Sequence, residues 1–291
     1  MTTPLASNFD KISPTALLTA YVRQFSNIPY TKEVAELSQA IDTIKQYQSE
    51  GQEQEQAIVV AALIEARYKA IDQVMGLFGG KQILELASGL LPRGMIWSQN
   101  PDITFIESDL PAMIHRKQQL VQQLLDVRPN LHFSAIDATQ RPNPLPLPIA
   151  YFHPEKPVTI ACEGLLMYLT FPEKQQVFAN VREILQIYGG VWITSDFTTK
   201  EGAGQLRQSE PGLRQVNQNI SSFTGRSFTE TAFNNLEDAK QFALEQGFRV
   251  EEEFSMLEVL DQLHSVSVLG IDLESAKPLL ATTPIFALTL A

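Results

Sequence analysis

Acidic side chains recur at one kind of place in this chain, the end of a short β-like run. Glu85 stands near the end of KQILELA (81–87), and Glu107 and Asp109 follow the apolar part of ITFIES (103–108). Asp137 ends LHFSAID (131–137), and Glu163 follows VTIAC within PVTIACEG (157–164). In an open α/β sheet, ligands bind outside the carboxyl ends of the strands, near the point where strand order reverses. Four successive strands would each bring an acid to that edge, beside the small-residue turn Ala87-Ser88-Gly89.

Taken singly, most of these residues have ordinary uses. The Ala87-Ser88-Gly89 segment makes a tight strand-to-helix turn, Glu107 and Asp109 make caps for a helix starting at Pro111, and Asp137 makes a solvated loop acid. Glu163 fits such a use poorly, because a carboxylate buried at the mouth of an apolar strand is unfavourable unless it is paired. As a set, the acids suit a ligand with ribose hydroxyls, an exocyclic amine and a cationic centre. A carboxylate after the second strand accepts from both ribose hydroxyls, Asp137 accepts from an adenine amino group, and Glu163 faces an ammonium or sulfonium. A phosphate-rich cofactor would meet acids where it needs donors. The turn also lacks the three-glycine dinucleotide pattern, since Ala87 stands in place of the first glycine. The ligand that matches is S-adenosylmethionine.

The elements that must position these residues alternate strand and helix, which predicts a mainly parallel sheet covered on both faces. About 80 residues precede the first strand and read as helix only, over 14–25, 32–47 and 53–77, with Ile58, Ala61, Ala62, Glu65, Ala66 and Ile71 at helical spacing. Gly79-Gly80 stops that region, so a helical cap over 1–80 and a ligand-binding domain over 81–291 are expected. A helix over 111–126 follows the second strand, a Pro-rich loop covers 141–157, and a helix over 171–190 is opened by Pro and closed by Gly-Gly. GVWITSDF (190–197) is the fifth strand. Residues 198–235, polar and Gly-bearing, read as a lid-like insertion with short helices. A helix over 236–248, a strand over 248–257 and a closing strand PIFALTLA (284–291) complete the chain.

Three segments carry a family resemblance. ILELASGLLPRG (83–94), FIESDLPAMIHRKQ (105–118) and CEGLLMYL (162–169) occur in order, after the helix segment ARYKAID (66–72). Over about residues 55–200 the chain resembles the leucine carboxyl methyltransferase and polyketide O-methyltransferase family, especially its bacterial branch. That resemblance implies a Rossmann-like class I methyltransferase fold, a mostly parallel seven-stranded sheet whose last strand is antiparallel. It implies that Arg67 binds the cofactor carboxylate as a bidentate pair, and that Ala87 and Gly89 let backbone approach the methionine moiety. Asp137 with Ala138 would face adenine, and Glu163 the amino group. For the ribose, strand-end reasoning favours Glu107 and the family motif favours Asp109. Met167 and Tyr168 are candidates for either the core or the acceptor pocket.

Composition narrows the partners. Lys plus Arg is 22 against 33 Asp plus Glu, a net charge of −11, which opposes binding to nucleic acid or an anionic bilayer. One cysteine, Cys162, excludes an intrachain disulfide and a Cys-based zinc site, and no metal is expected. The N-terminal residues show no basic region followed by an apolar block, so a soluble cytoplasmic protein is expected. The expected activity is O-methyl transfer to a small-molecule hydroxyl or a carboxylate, including a terminal one. The competing readings are a nicotinamide-dependent oxidoreductase and a non-catalytic cofactor-binding protein of the same fold.

The four histidines are poorly placed for a general base. His132 and His153 fall at the amino ends of strands, His115 lies on the adenosine side, and only His264 has access to the acceptor side. Catalysis by positioning alone is therefore expected.

Overall fold

Apolar runs on both faces of the same strands determine the architecture. The computed structural model describes residues 13–47, 53–208 and 228–291. Seven strands, β1 (Gln82–Leu86), β2 (Thr104–Asp109), β3 (Leu131–Ala135), β4 (Val158–Cys162), β5 (Gly190–Thr194), β6 (Phe248–Phe254) and β7 (Ile285–Leu290), form one sheet ordered β3-β2-β1-β4-β5-β7-β6. The first five are parallel, and β7 runs antiparallel to both β5 and β6. Every residue of β1 and β4 is buried, as expected of central parallel strands covered on two sides.

The period of two divides these strands between two cores. Ile83, Phe105, Ala161, Ile193 and Ala287 face one side; Leu84, Ile106, Ile160, Trp192 and Phe286 face the other. The first side is covered by α1 (Ser13–Arg23), α2 (Thr31–Leu37), α3 (Ala40–Tyr47), the 26-residue α4 (Glu53–Phe78), α5 (Arg93–Trp97) and α6 (Pro111–Leu124). Ala61, Ala62, Ala66, Ala70, Ile71 and Val74 of α4 belong to the same cluster as the sheet residues, so α4 packs directly on this face of the sheet.

The second side is covered by α7 (Phe171–Tyr188) and α9 (Leu236–Glu245); α8 (Lys200–Gln208) lies between β5 and α9 in the chain. Thr170 and Glu173 cap α7 reciprocally, and Gly189, at φ 66°, ends it. Phe178 is completely buried, edge-on to Trp192 at 4.6 Å, Phe242 at 5.2 Å and Phe248 at 5.4 Å.

Two local features differ from the sequence expectations. The predicted helix over 32–47 is two helices, broken where the Ser38 carbonyl accepts from Arg116 and Gln39 turns left-handed at φ 60°. After β6 the chain adds a 3₁₀ segment (Met256–Gln262), α10 (His264–Leu269) and α11 (Leu273–Ala281), which the sequence reading left undivided. The middle of the 198–235 insertion, residues 209–227, lies outside the described residues. Its two ends are pinned together by a bridge between Thr199 and Phe233, with Lys200 N–H donating to the Phe233 carbonyl at 2.7 Å and Phe233 N–H to Thr198 at 2.9 Å.

Because Phe178 ties four aromatic rings together beneath the sheet, Phe178→Ala is expected to lower unfolding free energy by about 3–5 kcal/mol. Urea denaturation followed by Trp fluorescence measures this; a loss below about 1 kcal/mol would mean that the cluster does not hold α7 to the sheet.

Candidate functional site

A cavity of about 320 Å³ opens at the carboxyl edge of β1, β2, β3 and β4, in the size range of small-molecule sites. Arg67, Ala87, Gly89, Asp109, Asp137, Ala138, Glu163 and Tyr168 all line it, together with Thr15, Ala16, Thr19 and Arg23 of α1. Leu90, Leu91, Met113, Ile136 and Leu165 give it apolar walls.

Three candidates lie elsewhere, and strand geometry explains each. Glu85 and Glu107 are register partners on β1 and β2 and stop short of the cavity. By alternation both point to the helix-covered face shared with Ile83 and Phe105, where they are completely buried. Glu85 is paired with Arg93, and Glu107 with Lys117. Gly94 lies against Glu107 so closely that a methyl group there would overlap the carboxylate. Burial pushes Glu107 up to about 7, against the pull of Lys117. Met167 does not line the cavity, and its carbonyl accepts from the Thr231 hydroxyl at 2.8 Å.

Of the two strand-two acids, then, Asp109 reaches the cavity, because it is the last residue of β2. One of its oxygens accepts from Gly89 N–H at 2.7 Å and the other from Leu110 N–H at 2.7 Å. Those bonds tie the turn after β1 to the end of β2. Ala87 and Gly89 both adopt left-handed backbone, at φ 52° and 47°; at Ala87 this conformation is strained, of order 1 kcal/mol or more. Asp137 accepts from Thr139 N–H at 2.9 Å and from its hydroxyl at 2.6 Å.

Glu163 is the electrostatic centre. One oxygen accepts from Arg67 Nε at 3.1 Å, with Arg23 at 3.6 Å, and the other accepts from Arg93 Nη2 at 2.8 Å. Burial alone would raise its carboxyl, but the guanidinium groups of Arg67, Arg93 and Arg23 prevail and hold it at about 2. Arg93 is itself fully buried and also bonds Asp72 at 2.6 Å and Glu85, with its guanidinium 4.4 Å above the Tyr68 ring. Asp72 is pushed up to about 6 by burial, with Arg93 opposing. Arg67 thus pairs with Glu163 rather than with a neighbour on its own helix. Glu65 instead accepts from the backbone N–H groups of His264 and Ser265 at 3.0 and 2.8 Å, capping α10.

Sequence reasoning missed Arg23, Arg93, Lys117 and Asp196. Arg93 lies inside the motif ILELASGLLPRG. Asp196 stands near the end of GVWITSDF, just past the fifth strand, so the strand-end argument extended by one strand finds it. Its carboxylate accepts from the backbone N–H groups of Gly164, Leu165 and Leu166 at 2.8, 2.6 and 2.9 Å, fixing the turn that carries Glu163. None of the four histidines lines the cavity.

The sheet order with its inserted antiparallel strand, and a cavity at the edge of β1 to β4, define a Rossmann-like class I methyltransferase fold. The leucine carboxyl methyltransferase family matches residues 16–182, more than half of the chain, and the protein belongs to that family. Proteins of Mycobacterium tuberculosis (strain ATCC 25618 / H37Rv) and Mycobacterium bovis (strain ATCC BAA-935 / AF2122/97), each described as a putative S-adenosyl-L-methionine-dependent methyltransferase, are 27% identical to it over 184 residues. The match covers 62% of this chain and 58% of each relative, so the chain spans less than two thirds of their length. A DUF574 family protein from Streptomyces avermitilis MA-4680 has the same fold, with a TM-score of 0.58 at 14% identity over 95% of this chain and 96% of that one.

The Glu163 carboxyl sits at about 2 in the folded protein, below its ordinary value near 4.5. Unfolded chains therefore bind more protons between those values, and stability falls as pH drops through that window. The contribution is on the order of 3 kcal/mol above pH 5. Urea titrations from pH 5 to 2.5 should show this slope in the wild type and a shallower one in Glu163→Gln. Parallel profiles would refute the role of the arginine cluster.

Proposed function

We propose that the protein is an S-adenosylmethionine-dependent methyltransferase that methylates an oxygen, the acceptor being a small-molecule hydroxyl or a carboxylate. The observation that carries this reading is the cavity edge itself, where Asp109, Asp137 and Glu163 stand at the ends of three strands and two arginines flank Glu163. The residues fit the cofactor. Asp109 suits the ribose hydroxyls, Asp137 with Ala138 suits the adenine, and Glu163 suits the amino group. Arg67 suits the carboxylate, and the small left-handed residues Ala87 and Gly89 let backbone approach the methionine chain. The buried Nε of Arg23 has no hydrogen-bond partner among the described residues, which suits a group that faces a ligand.

When bound, the cofactor supplies a methyl group on a cationic sulfur. The protein's own work is to hold donor and acceptor in line and to exclude water. Leu90, Leu91, Met113 and Leu165 serve the exclusion. Tyr168 is raised to about 12 by burial, with the Arg67 charge opposing, so it serves as a hydrogen-bond donor and not as a base near neutral pH. A carboxylate acceptor is already ionised and needs no base, whereas a phenol near pKa 10 benefits from one. The acceptor side is assigned to α1 and to the 198–235 insertion.

S-adenosylmethionine and its product S-adenosylhomocysteine are expected to raise the melting temperature, and NAD to leave it unchanged. Stabilisation by NAD alone would overturn the assignment in favour of an oxidoreductase. An acceptor screen with labelled methyl donor tests catalysis directly, and persistent silence with tight cofactor binding would favour a non-catalytic protein. Asp109→Ala is expected to weaken cofactor binding by about 1–3 kcal/mol, while Glu107→Ala acts on stability and changes affinity less than threefold. Calorimetry on the folded variants decides, and the reverse ranking would return the ribose to Glu107.

The histidine variants test the mechanism. His115→Ala and His264→Ala should each keep most of their activity. Loss of turnover in either, with cofactor affinity and melting temperature intact, would disprove catalysis by positioning alone and favour a phenolic acceptor.

A further inference from the structure

The wall of the cavity beyond β3 has the least support from the sheet. β3 is an edge strand, so the turn after it, residues 136–140, can lean on a neighbouring strand on one side only. On that side Ile136 N–H donates to the Asp109 carbonyl at 2.8 Å. Ile136, Asp137, Ala138 and Thr139 all line the cavity. A turn that presents a carboxylate at a fixed place needs a second anchor, because binding groups must be held close to their productive geometry.

Asn180 of α7 supplies that anchor from behind. It is 5% exposed and does not line the cavity. Ile136 packs in the same apolar cluster as Val177 and Val181, which brings this face of α7 against the turn. Asn180 Nδ2 donates to the Ala138 carbonyl at 2.8 Å and to the Gln140 carbonyl at 2.9 Å. Its Oδ1 accepts from Arg141 Nη1 at 2.7 Å, and Arg141 also donates to Glu183, one turn further along α7, at 2.6 Å. Chemistry fixes which way the amide points, because carbonyls only accept and a guanidinium only donates. No other side chain of this length offers two donors and an acceptor.

The turn in its own right sets Asp137. Gln140 N–H donates to the Asp137 carbonyl at 3.0 Å, and Thr139 donates to Asp137 Oδ1 from both its N–H and its hydroxyl. Those bonds hold Oδ1, and no hydrogen bond among the described residues reaches Oδ2. The carboxylate therefore presents one open acceptor oxygen, and the position of that oxygen depends on the turn that Asn180 clamps.

We propose that Asn180 is a positioning residue for nucleobase selectivity: from outside the cavity it holds the 137–140 turn so that Asp137 meets an amino group on the base and rejects a keto oxygen. A carboxylate only accepts, so a 6-amino purine donates to it, whereas a 6-oxo purine sets oxygen against oxygen. A site built around such a bond discriminates strongly against the analogue that lacks it. This inference rests on the reading of the cavity as a site for S-adenosylmethionine.

The test compares S-adenosylhomocysteine with S-inosylhomocysteine, its 6-oxo counterpart, by titration calorimetry on wild type, Asn180→Asp and Arg141→Met. Asn180→Asp keeps the acceptor for Arg141 and removes both donors to the turn. Arg141→Met frees the amide from its clamp at an exposed position. A hydrogen bond to a charged group corresponds to roughly tenfold to a hundredfold in affinity, and wild type should prefer S-adenosylhomocysteine by that factor. Asn180→Asp should bring the preference below about threefold by weakening S-adenosylhomocysteine alone, and Arg141→Met should reduce it at least about threefold. An unchanged preference in Asn180→Asp, whether both ligands weaken or neither does, would overturn the proposal and leave the cofactor assignment standing. A wild type that binds both ligands equally would overturn it too, since Asp137 would not read the amino group. Absence of any binding by the wild type would remove the cofactor reading and the proposal with it. If Asn180→Asp lowers the ligand-free melting temperature, Arg141→Met decides by the same ratio.

Discussion

The ion pair between Arg93 and Glu163 is the interaction on which the site depends. Arg93 enters from the short helix after β1, Glu163 from the turn after β4, and neither touches water to any useful extent. A buried charge is tolerable only when it is paired and its donors are satisfied. Arg93 meets that condition through Asp72 of α4, Glu85 of β1 and Glu163 together. One side chain thereby fixes three layers of the protein relative to one another: the long helix, the central strand and the edge of the cavity. Asp196 completes the arrangement from β5 by holding the backbone of the Glu163 turn.

The same economy separates acids that do structural work from acids that face the cavity. Glu85 and Glu107 sit inside their strands, and their partners are the buried cations Arg93 and Lys117. Asp109, Asp137 and Glu163 sit at or beyond strand ends and reach the cavity. A shift of two residues along β2 is enough to change an acid from a core ion pair into a wall of the site.

The sheet was legible because parallel central strands must be apolar on both faces, and QILEL and VTIAC satisfy that over five residues each. The cavity edge was legible for a related reason: an acid after such a run has few stable places to go. The pairing of acids with arginines was not legible, because Arg23 and Glu163 are far apart in sequence and meet only once α1 and α4 lie over the sheet. The break at Ser38 was hidden in the same way, since it depends on Arg116, which approaches from α6. The helices after β6 carry too little regular apolar spacing to be told from loop, and they are held by tertiary contacts such as Glu65 at the start of α10.

The pinch between Thr199 and Phe233 has a consequence for how this scaffold varies. It brings Thr199 and Phe233, the two ends of a long segment, to a single point on the domain. Closing a longer loop adds only about 0.6 kcal/mol per doubling of its length. Insertions between residues 209 and 227 are therefore expected to leave strand register, the paired acids and the arginine cluster in place. The bridge thus separates the length of that segment from the register of the sheet, whereas Thr231, bonded to Lys174 and Met167, belongs with the fixed part.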